Sequence, residues 1–412
     1  MTNQNYRVPL AFLTLSFFMW GFITCLNDIM IPHLKELFSL NYVEAMVVQF
    51  TFFGTFAIVS IPMAKVIQKI SHKKGIVTGF MVIALGCLIF LPAAAYASYG
   101  MFIFGYFIMA TGVTTLQVAC NPYATLLGKP ETASSRLTFM QAFNSLGTTI
   151  APFFGGILIL VAGATATTVA GKIWAVQKPF IILAVALVLV GLLFAFVKLP
   201  KIDTNRLKDD GSSTVNALED RGSIWKYKHL ILGCVAIFMY VGAEVSIGSF
   251  LINYFELPEL GAITGLTAAS YVGYYWGGAM VGRFIGTYLL KEFAPNKIIA
   301  LFSSIAIVLV VISMLTNGNI AVITIVAVGL FNSIQFPTIF SVALRGLGKY
   351  TAIGSGLLIV SIVGGAIVPI IQGSVADTVG VHHAFIIPVI CYLYIVFYGL
   401  KGYDKSVFLT SK

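Results

Sequence analysis

Charge is what this sequence lacks. Asp, Glu, Lys and Arg make up only 10% of its 412 residues, and just fifteen residues are acidic. A water-soluble domain needs a charged surface to stay dispersed, so a soluble globular chain is excluded. The five cysteines (Cys25, Cys87, Cys120, Cys234, Cys391) have no CxxC or metal-ligand spacing and lie in apolar stretches. That excludes a zinc module or a disulfide scaffold and predicts buried packing. His33, His72, His229, His382 and His383 fall at predicted helix ends or in loops and make no metal or proton-relay constellation. There is no P-loop, no GxSxG nucleophile and no His/Glu metal cluster, which disfavours an enzyme and ATP-driven transport by this chain alone. A cleavable signal peptide is also absent: the stretch from Val8 to Pro32 is too long, lacks a small-residue cleavage site and reads as a first span.

Apolar residues are what the chain has, 58% of it, and they come in long blocks. A helix needs about 20 mostly apolar residues to cross a bilayer. Twelve blocks qualify, at 8–32, 43–69, 75–97, 99–127, 136–163, 173–198, 228–255, 262–290, 296–316, 318–346, 349–377 and 381–401. The predicted fold class is therefore an all-α membrane protein with 12 transmembrane helices. With the N-terminus cytoplasmic, Lys35, Lys172 and Lys178 are the basic residues left on outside loops, and the remaining Lys and Arg lie in or beside cytoplasmic segments. This is the positive-inside pattern, so the net charge of +10 is topological and not a nucleic-acid footprint. An even number of spans puts both termini in the cytoplasm. The polar stretch Leu199 to Tyr227, with Lys201, Asp203, Arg206, Lys208, Asp209, Asp210, Glu219, Asp220 and Arg221, cannot build a core and reads as a cytoplasmic linker between bundles at 1–198 and 228–412.

The two halves repeat. Gly147, Pro152 and Gly156 form G-x4-P-x3-G in the fifth span, and Gly364, Pro369 and Gly373 repeat the spacing in the eleventh, 217 residues later. Spans four and ten each carry a proline beside an amide, Asn121-Pro122 and Gln335 two positions before Pro337, and the basic turn His72-Lys73-Lys74 is answered by Lys291 to Lys297. Small residues let helices approach closely in lipid, and a proline frees a carbonyl and permits a bend. Helix packing alone is the competing reading for each individual glycine. Parallel six-helix repeats with a binding site between them describe the major facilitator architecture.

Few residues in these spans can carry chemistry. Asp28 and Glu244 are the two acids well inside apolar segments, in the first helix of each half. A charge at membrane depth costs at least about 2.5–3.5 kcal/mol on insertion scales and usually marks an ion or proton pathway. A structural role, at the interface for Asp28 and between helices for Glu244, is the alternative. The amides Asn27, Gln49, Gln117, Asn121, Gln141, Asn144, Asn332 and Gln335 offer donors and acceptors without charge, which suits a neutral, hydroxyl-rich ligand; interhelical hydrogen bonding is the alternative. Trp20, Tyr123, Phe336 and the run Tyr271, Tyr274, Tyr275, Trp276 supply rings for stacking on a sugar, or for an interfacial belt. Arg283, in Gly282-Arg283-Phe284, is expected to tether an inner gate rather than touch substrate.

Several of these motifs resemble the fucose–galactose–glucose symporter family of the major facilitator superfamily: Leu26-Asn27-Asp28-Ile29, Asn121-Pro122-Tyr123, Gln141-Ala142-Phe143-Asn144-Ser145-Leu146-Gly147 and Gln335-Phe336-Pro337-Thr338-Ile339-Phe340. The similarity runs from about residue 10 to 402 with the motifs in order. It implies an alternating-access sugar symporter of the bacterial inner membrane, coupled to H+ or Na+. The aspartate of the first motif is the family's proton-carrying acid and falls on Asp28, with Asn27 beside it as a further oxygen; the sugar-facing amides fall on Asn144 and Gln335. One departure stands out: the fucose permease has a second essential glutamate in span four, where this chain has Gln117. Together with Val241-Gly242-Ala243-Glu244 and Tyr275-Trp276-Gly277-Gly278, that points to the glucose/galactose branch. Glu244 is the reserve coupling acid. The site expected for a sugar comprises Gln117, Asn121, Gln141, Asn144, Gln335, Trp20, Tyr275 and Trp276. The expected cargo is glucose or galactose, with fucose or an N-acetylhexosamine behind; a drug or metabolite exporter and a non-transporting sugar sensor are the competing functions. A sugar, the co-transported cation and membrane lipid are the expected partners, with no nucleic acid and no other cofactor, and a monomer suffices.

Overall fold

The computed structural model describes residues 6–37, 42–96, 98–155, 169–197, 200 and 222–403, with side chains described except at 26–46, 48, 49, 152–155, 169–173, 175, 176 and 266. Asn27, Asp28 and Gln49 therefore have a helical backbone, and their side chains lie outside the described residues. Among the described residues every regular element is helical. The order is α1 Arg7–Leu37, α2 Tyr42–Ile70, α3 His72–Ala95, α4 Tyr99–Leu126, α5 Ala133–Gly155, α6 Val169–Phe196, α7 Lys228–Phe255, α8 Gly265–Glu292 and α9 Pro295–Leu315. The tenth span is two helices, α10 Gly318–Asn332 and α11 Gln335–Ala343, and the eleventh is α12 Thr351–Val360 and α13 Gly364–Val379 joined by a 3-10 turn at Ser361–Val363. After a short turn at Val381–Ala384, α14 Ile386–Phe397 ends in a π-helical turn, Tyr398–Gly402.

Ten helical stretches among the described residues are long and apolar enough to cross a membrane. The remaining two of the twelve expected spans correspond to α5 and α8. Both carry more polar side chains: α5 holds Ser134, Ser135, Arg136, Thr138, Gln141, Asn144, Ser145, Thr148 and Thr149, and α8 holds Arg283 and Lys291. They are also helices on which site residues were expected. Spans ten and eleven depart from the continuous helices expected at 318–346 and 349–377, and the tenth breaks at Ser333 and Ile334, ahead of Pro337. Pro337 cannot donate to the Ser333 carbonyl four residues back, so the ladder lacks its support there.

The chain divides into two compact units, Met1–Ala124 with Phe143–Ile202, and Thr125–Ala142 with Asp203–Lys412. The start of α5 thus belongs with the second unit. In the first, rings fill the interior: Phe90 packs on Phe180 at 4.5 Å and on Phe102 at 4.8 Å, and Phe80 on Phe194 at 5.8 Å. In the second, Tyr254 packs on Phe385 at 4.8 Å and donates to the Ser313 carbonyl at 2.9 Å. The sequence repeat has a structural counterpart inside each unit. A side chain on Gly147 would overlap the Phe18 carbonyl of α1, and one on Gly364 would overlap the Phe238 carbonyl of α7. The same glycine of the repeated motif thus brings each half's fifth helix onto its first. In lipid such contact does what apolar burial does in water. The five cysteines are free thiols, three of them buried.

Candidate functional site

In the first unit, α1 and α5 hold Trp20 and Asn144 against one another through Phe17. Trp20 is buried with its ring 4.5 Å from that of Phe17, and Asn144 Nδ2 donates to the Phe17 carbonyl at 3.0 Å. On α4, Gln117 and Asn121 are four residues apart and so share a face. Both are buried, and neither Oδ1 nor Nδ2 of Asn121 has a partner among the described residues. Tyr123 is not a sugar platform: its ring stacks on His72 at 5.8 Å and its hydroxyl donates to the Pro200 carbonyl at 2.8 Å, an anchor where α3 begins.

The second unit gathers more of the expected residues. Tyr240, one turn before Glu244 on α7, donates its hydroxyl to Glu244 Oε1 at 2.6 Å. The Tyr275 hydroxyl, on α8, accepts from Asn332 Nδ2 at 2.7 Å and donates to the Glu244 carbonyl at 3.4 Å, while Tyr392 of α14 donates to Asn332 Oδ1 at 2.6 Å. Tyr275, expected in the sugar site, and Asn332, one of the amides open to interhelical hydrogen bonding, are fully buried and bonded to each other, a strut joining α7, α8, α10 and α14.

Arg283 lies where α8 meets the break in span ten. Gly282 makes that approach, since a Cβ there would come within 2.5 Å of Ser333 Oγ. Arg283 Nε then donates to the Ser333 carbonyl at 3.1 Å and Nη1 to the Gln141 carbonyl at 3.4 Å, and its charge attracts the partly buried Glu244 carboxyl. Gln141 is buried, as is Gln335, whose Nε2 reaches back to the Phe331 carbonyl at 3.5 Å and whose Oε1 has no donor among the described residues. Trp276 is 44% exposed, with its ring against Gly248, and Tyr274 is 64% exposed and packs edge-on to Tyr271, as rings in an outer belt do. Phe336 stacks on Phe340.

A cavity of about 80 Å³ in the second unit lies apart from these amides, lined by Glu131, Ser134, Ser341 and Arg345 among others. Ser134 and Ser341 are hydrogen-bonded to each other at 2.6 Å, and Ser135 donates to the Thr287 carbonyl at 2.6 Å, so the start of α5 is fastened to α11 and α8. Among the described residues no three His, Cys, Asp or Glu are grouped to hold a metal ion.

The sequence profile of the Major Facilitator Superfamily matches residues 12–369. The chain belongs to that superfamily. Among its relatives, the glucose/galactose transporter of Brucella abortus biovar 1 is 53% identical over 403 residues, covering 97% of this chain and 95% of that one. The L-fucose-proton symporter of Escherichia coli K12 is 34% identical, over 96% of this chain and 93% of that one. The crystal structure of the transporter FucP in the outward conformation matches with a TM-score of 0.85 at 33% identity, covering 96% of this chain and 98% of that chain. As a major facilitator the chain is a multi-pass membrane transporter and not an enzyme. Three parts of its polar interior are not singled out by the sequence. Tyr240 was findable, since it stands four residues from Glu244 on one helix face. Tyr392 and the Ser333 carbonyl had no local signal, because their partners come from other helices.

Proposed function

We propose that this chain is a cation-coupled symporter importing a neutral hexose, glucose or galactose first, by alternating access. The observation that carries the reading is the 53% identity, over 97% of the chain, to a protein named for those two sugars. Fucose stands behind, since the relative named for it is 34% identical. The chemistry of the two units supports a hydroxyl-rich cargo. Each unit buries an amide oxygen that has no donor, Asn121 Oδ1 in one and Gln335 Oε1 in the other. A buried acceptor left unpaired costs about 1–3 kcal/mol, and a sugar hydroxyl removes that cost. We assign hexose recognition to Asn144 and Gln335, together with Gln117, Asn121, Gln141 and Trp20. Asp28 is assigned as the coupling acid, with Glu244 in reserve, and the cation is H+ in preference to Na+, because a single carboxylate suffices for a proton. The protein would work as a monomer in the bacterial inner membrane with both termini cytoplasmic.

Counterflow of labelled glucose and galactose into proteoliposomes tests the reading. Exchange of either sugar, and its accumulation under an imposed inward proton gradient, is the expected result. Accumulation driven by sodium alone would move the assignment to the other cation, and exchange of neither sugar would remove the hexose reading.

A further inference from the structure

Pro337 has no N–H, so the Ser333 carbonyl four residues before it has no intrahelical donor. An unpaired backbone carbonyl at membrane depth costs several kcal/mol unless the protein supplies a partner. Arg283 Nε supplies it, at 3.1 Å. This bond joins a cation on α8 to the turn that starts α11 at Gln335, the residue assigned above to the hexose. The same guanidinium reaches the Gln141 carbonyl at 3.4 Å and lies in the field of Glu244. The titratable and charged groups that interact with Glu244 are Arg283, Tyr240, Tyr275 and Tyr392. Arg283 is the cation among them.

We infer that Arg283 is a positioning residue that stands in for the missing Pro337 N–H, and that the charge on Glu244 decides how firmly it does so. Ionised Glu244 competes with the two carbonyls for the guanidinium. When the carboxyl takes up a proton, that competition ends, Arg283 settles on the Ser333 carbonyl, and the first turn of α11 is fixed with Gln335 in place. Protonation of Glu244 thereby raises affinity for the sugar through one side chain, without direct contact between the two ligands, and adds to the coupling assigned to Asp28 without replacing it. Two sites biasing one element in this way is the thermodynamic requirement for coupling. The inference rests on the hexose reading for its sugar readout, and its structural core does not.

The test uses the purified full chain and the variants Arg283→Met, Pro337→Ala, Glu244→Gln and their pairwise combinations. Two measurements are made on each: equilibrium binding of D-galactose and D-glucose, and backbone hydrogen exchange over residues 335–341. Arg283→Met should weaken hexose binding about tenfold, the weight of a charge-assisted hydrogen bond, and speed exchange. Pro337→Ala restores an N–H to the Ser333 carbonyl, so the Arg283→Met/Pro337→Ala pair should recover both. Glu244→Gln should raise affinity in the parent and change nothing in the Arg283→Met background, a dependence that a merely structural arginine would not produce; unchanged affinity in the parent would refute the role given to Glu244. Equal defects in Arg283→Met with and without Pro337→Ala, or a Glu244→Gln effect that survives loss of Arg283, overturns the inference. If the parent chain binds neither hexose, it is the proposed function that fails. The exchange measurement then decides the Arg283 cap alone, with unchanged exchange in Arg283→Met as the refuting result.

Discussion

Replacing Asn332 with Leu measures what the buried strut of the second unit is worth. Asn332 is 1% exposed, and Leu keeps its branched shape with the same number of heavy atoms, so the change removes hydrogen bonds without opening a cavity. Two bonds are lost: the one from Tyr392, at 2.6 Å, and the one to Tyr275, at 2.7 Å. Their consequences differ. Tyr275 keeps its donation to the Glu244 carbonyl at 3.4 Å, whereas the buried Tyr392 hydroxyl is left with no acceptor among the described residues. One orphaned hydroxyl costs about 1–3 kcal/mol by the soluble-protein measure. Interhelical bonds within membranes average about 0.6 kcal/mol, because the unfolded chain in lipid also finds partners. The expectation for Asn332→Leu is therefore a loss of about 2 kcal/mol, with two bonds at the membrane value plus part of the orphan penalty. Tyr392→Phe orphans only the Asn332 oxygen and should cost about 1 kcal/mol. The double variant leaves no orphan on that side, so it should be more stable than the sum of the two by about 1 kcal/mol, within the range usual for residues in contact. Reversible unfolding of the purified protein in mixed micelles, titrated with SDS, reads all three. A single-variant loss under about 0.5 kcal/mol, or additivity to within that margin, would show that the strut is incidental.

Three further outcomes are expected. Asn144→Ala or Gln335→Ala should weaken hexose binding roughly 5- to 150-fold, the equivalent of about 1–3 kcal/mol for an unpaired sugar hydroxyl; unchanged affinity in both would make these amides structural. Asp28→Asn should abolish gradient-driven accumulation and keep counterflow, since the amide mimics the protonated acid; if it still accumulates sugar while Glu244→Gln does not, coupling belongs to the second half of the chain. Reporter fusions after residues 170 and 210 should report opposite sides of the membrane, and the same side for both would overturn the span assignment.

Much of the architecture was legible because hydropathy and glycine spacing are one-dimensional signals. The observed α7 begins and ends at the expected 228 and 255, and the other span ends fall within a few residues wherever they are described. The repeat at Gly147 and Gly364 is legible for the same reason: close helix approach demands glycine wherever it happens. Orientation within a bundle has no such signal. Tyr123, Tyr275 and Trp276 carry rings of the type that binds sugars, yet one anchors a helix end, one is spent on Asn332, and one is 44% exposed. What separates them is which neighbouring helix each one meets, and that depends on residues tens of positions away.

The break in span ten shows the same limit at closer range. Asn332 and Gln335 are three residues apart and would share a face on a continuous helix, so helical spacing alone offers no reason to treat them differently. The structure does treat them differently. Asn332, the last residue of α10, has both polar atoms bonded to tyrosines, and Gln335, the first of α11, keeps an acceptor with no donor among the described residues. Pro337 was visible as the cause of a bend, but the consequence depends on Arg283, fifty residues earlier, capping the carbonyl that the proline leaves open. A proline break without such a cap would be a defect in a membrane span. With it, the same two amides serve two ends: the one before the break ties four helices together, and the one after it is left able to answer to a ligand.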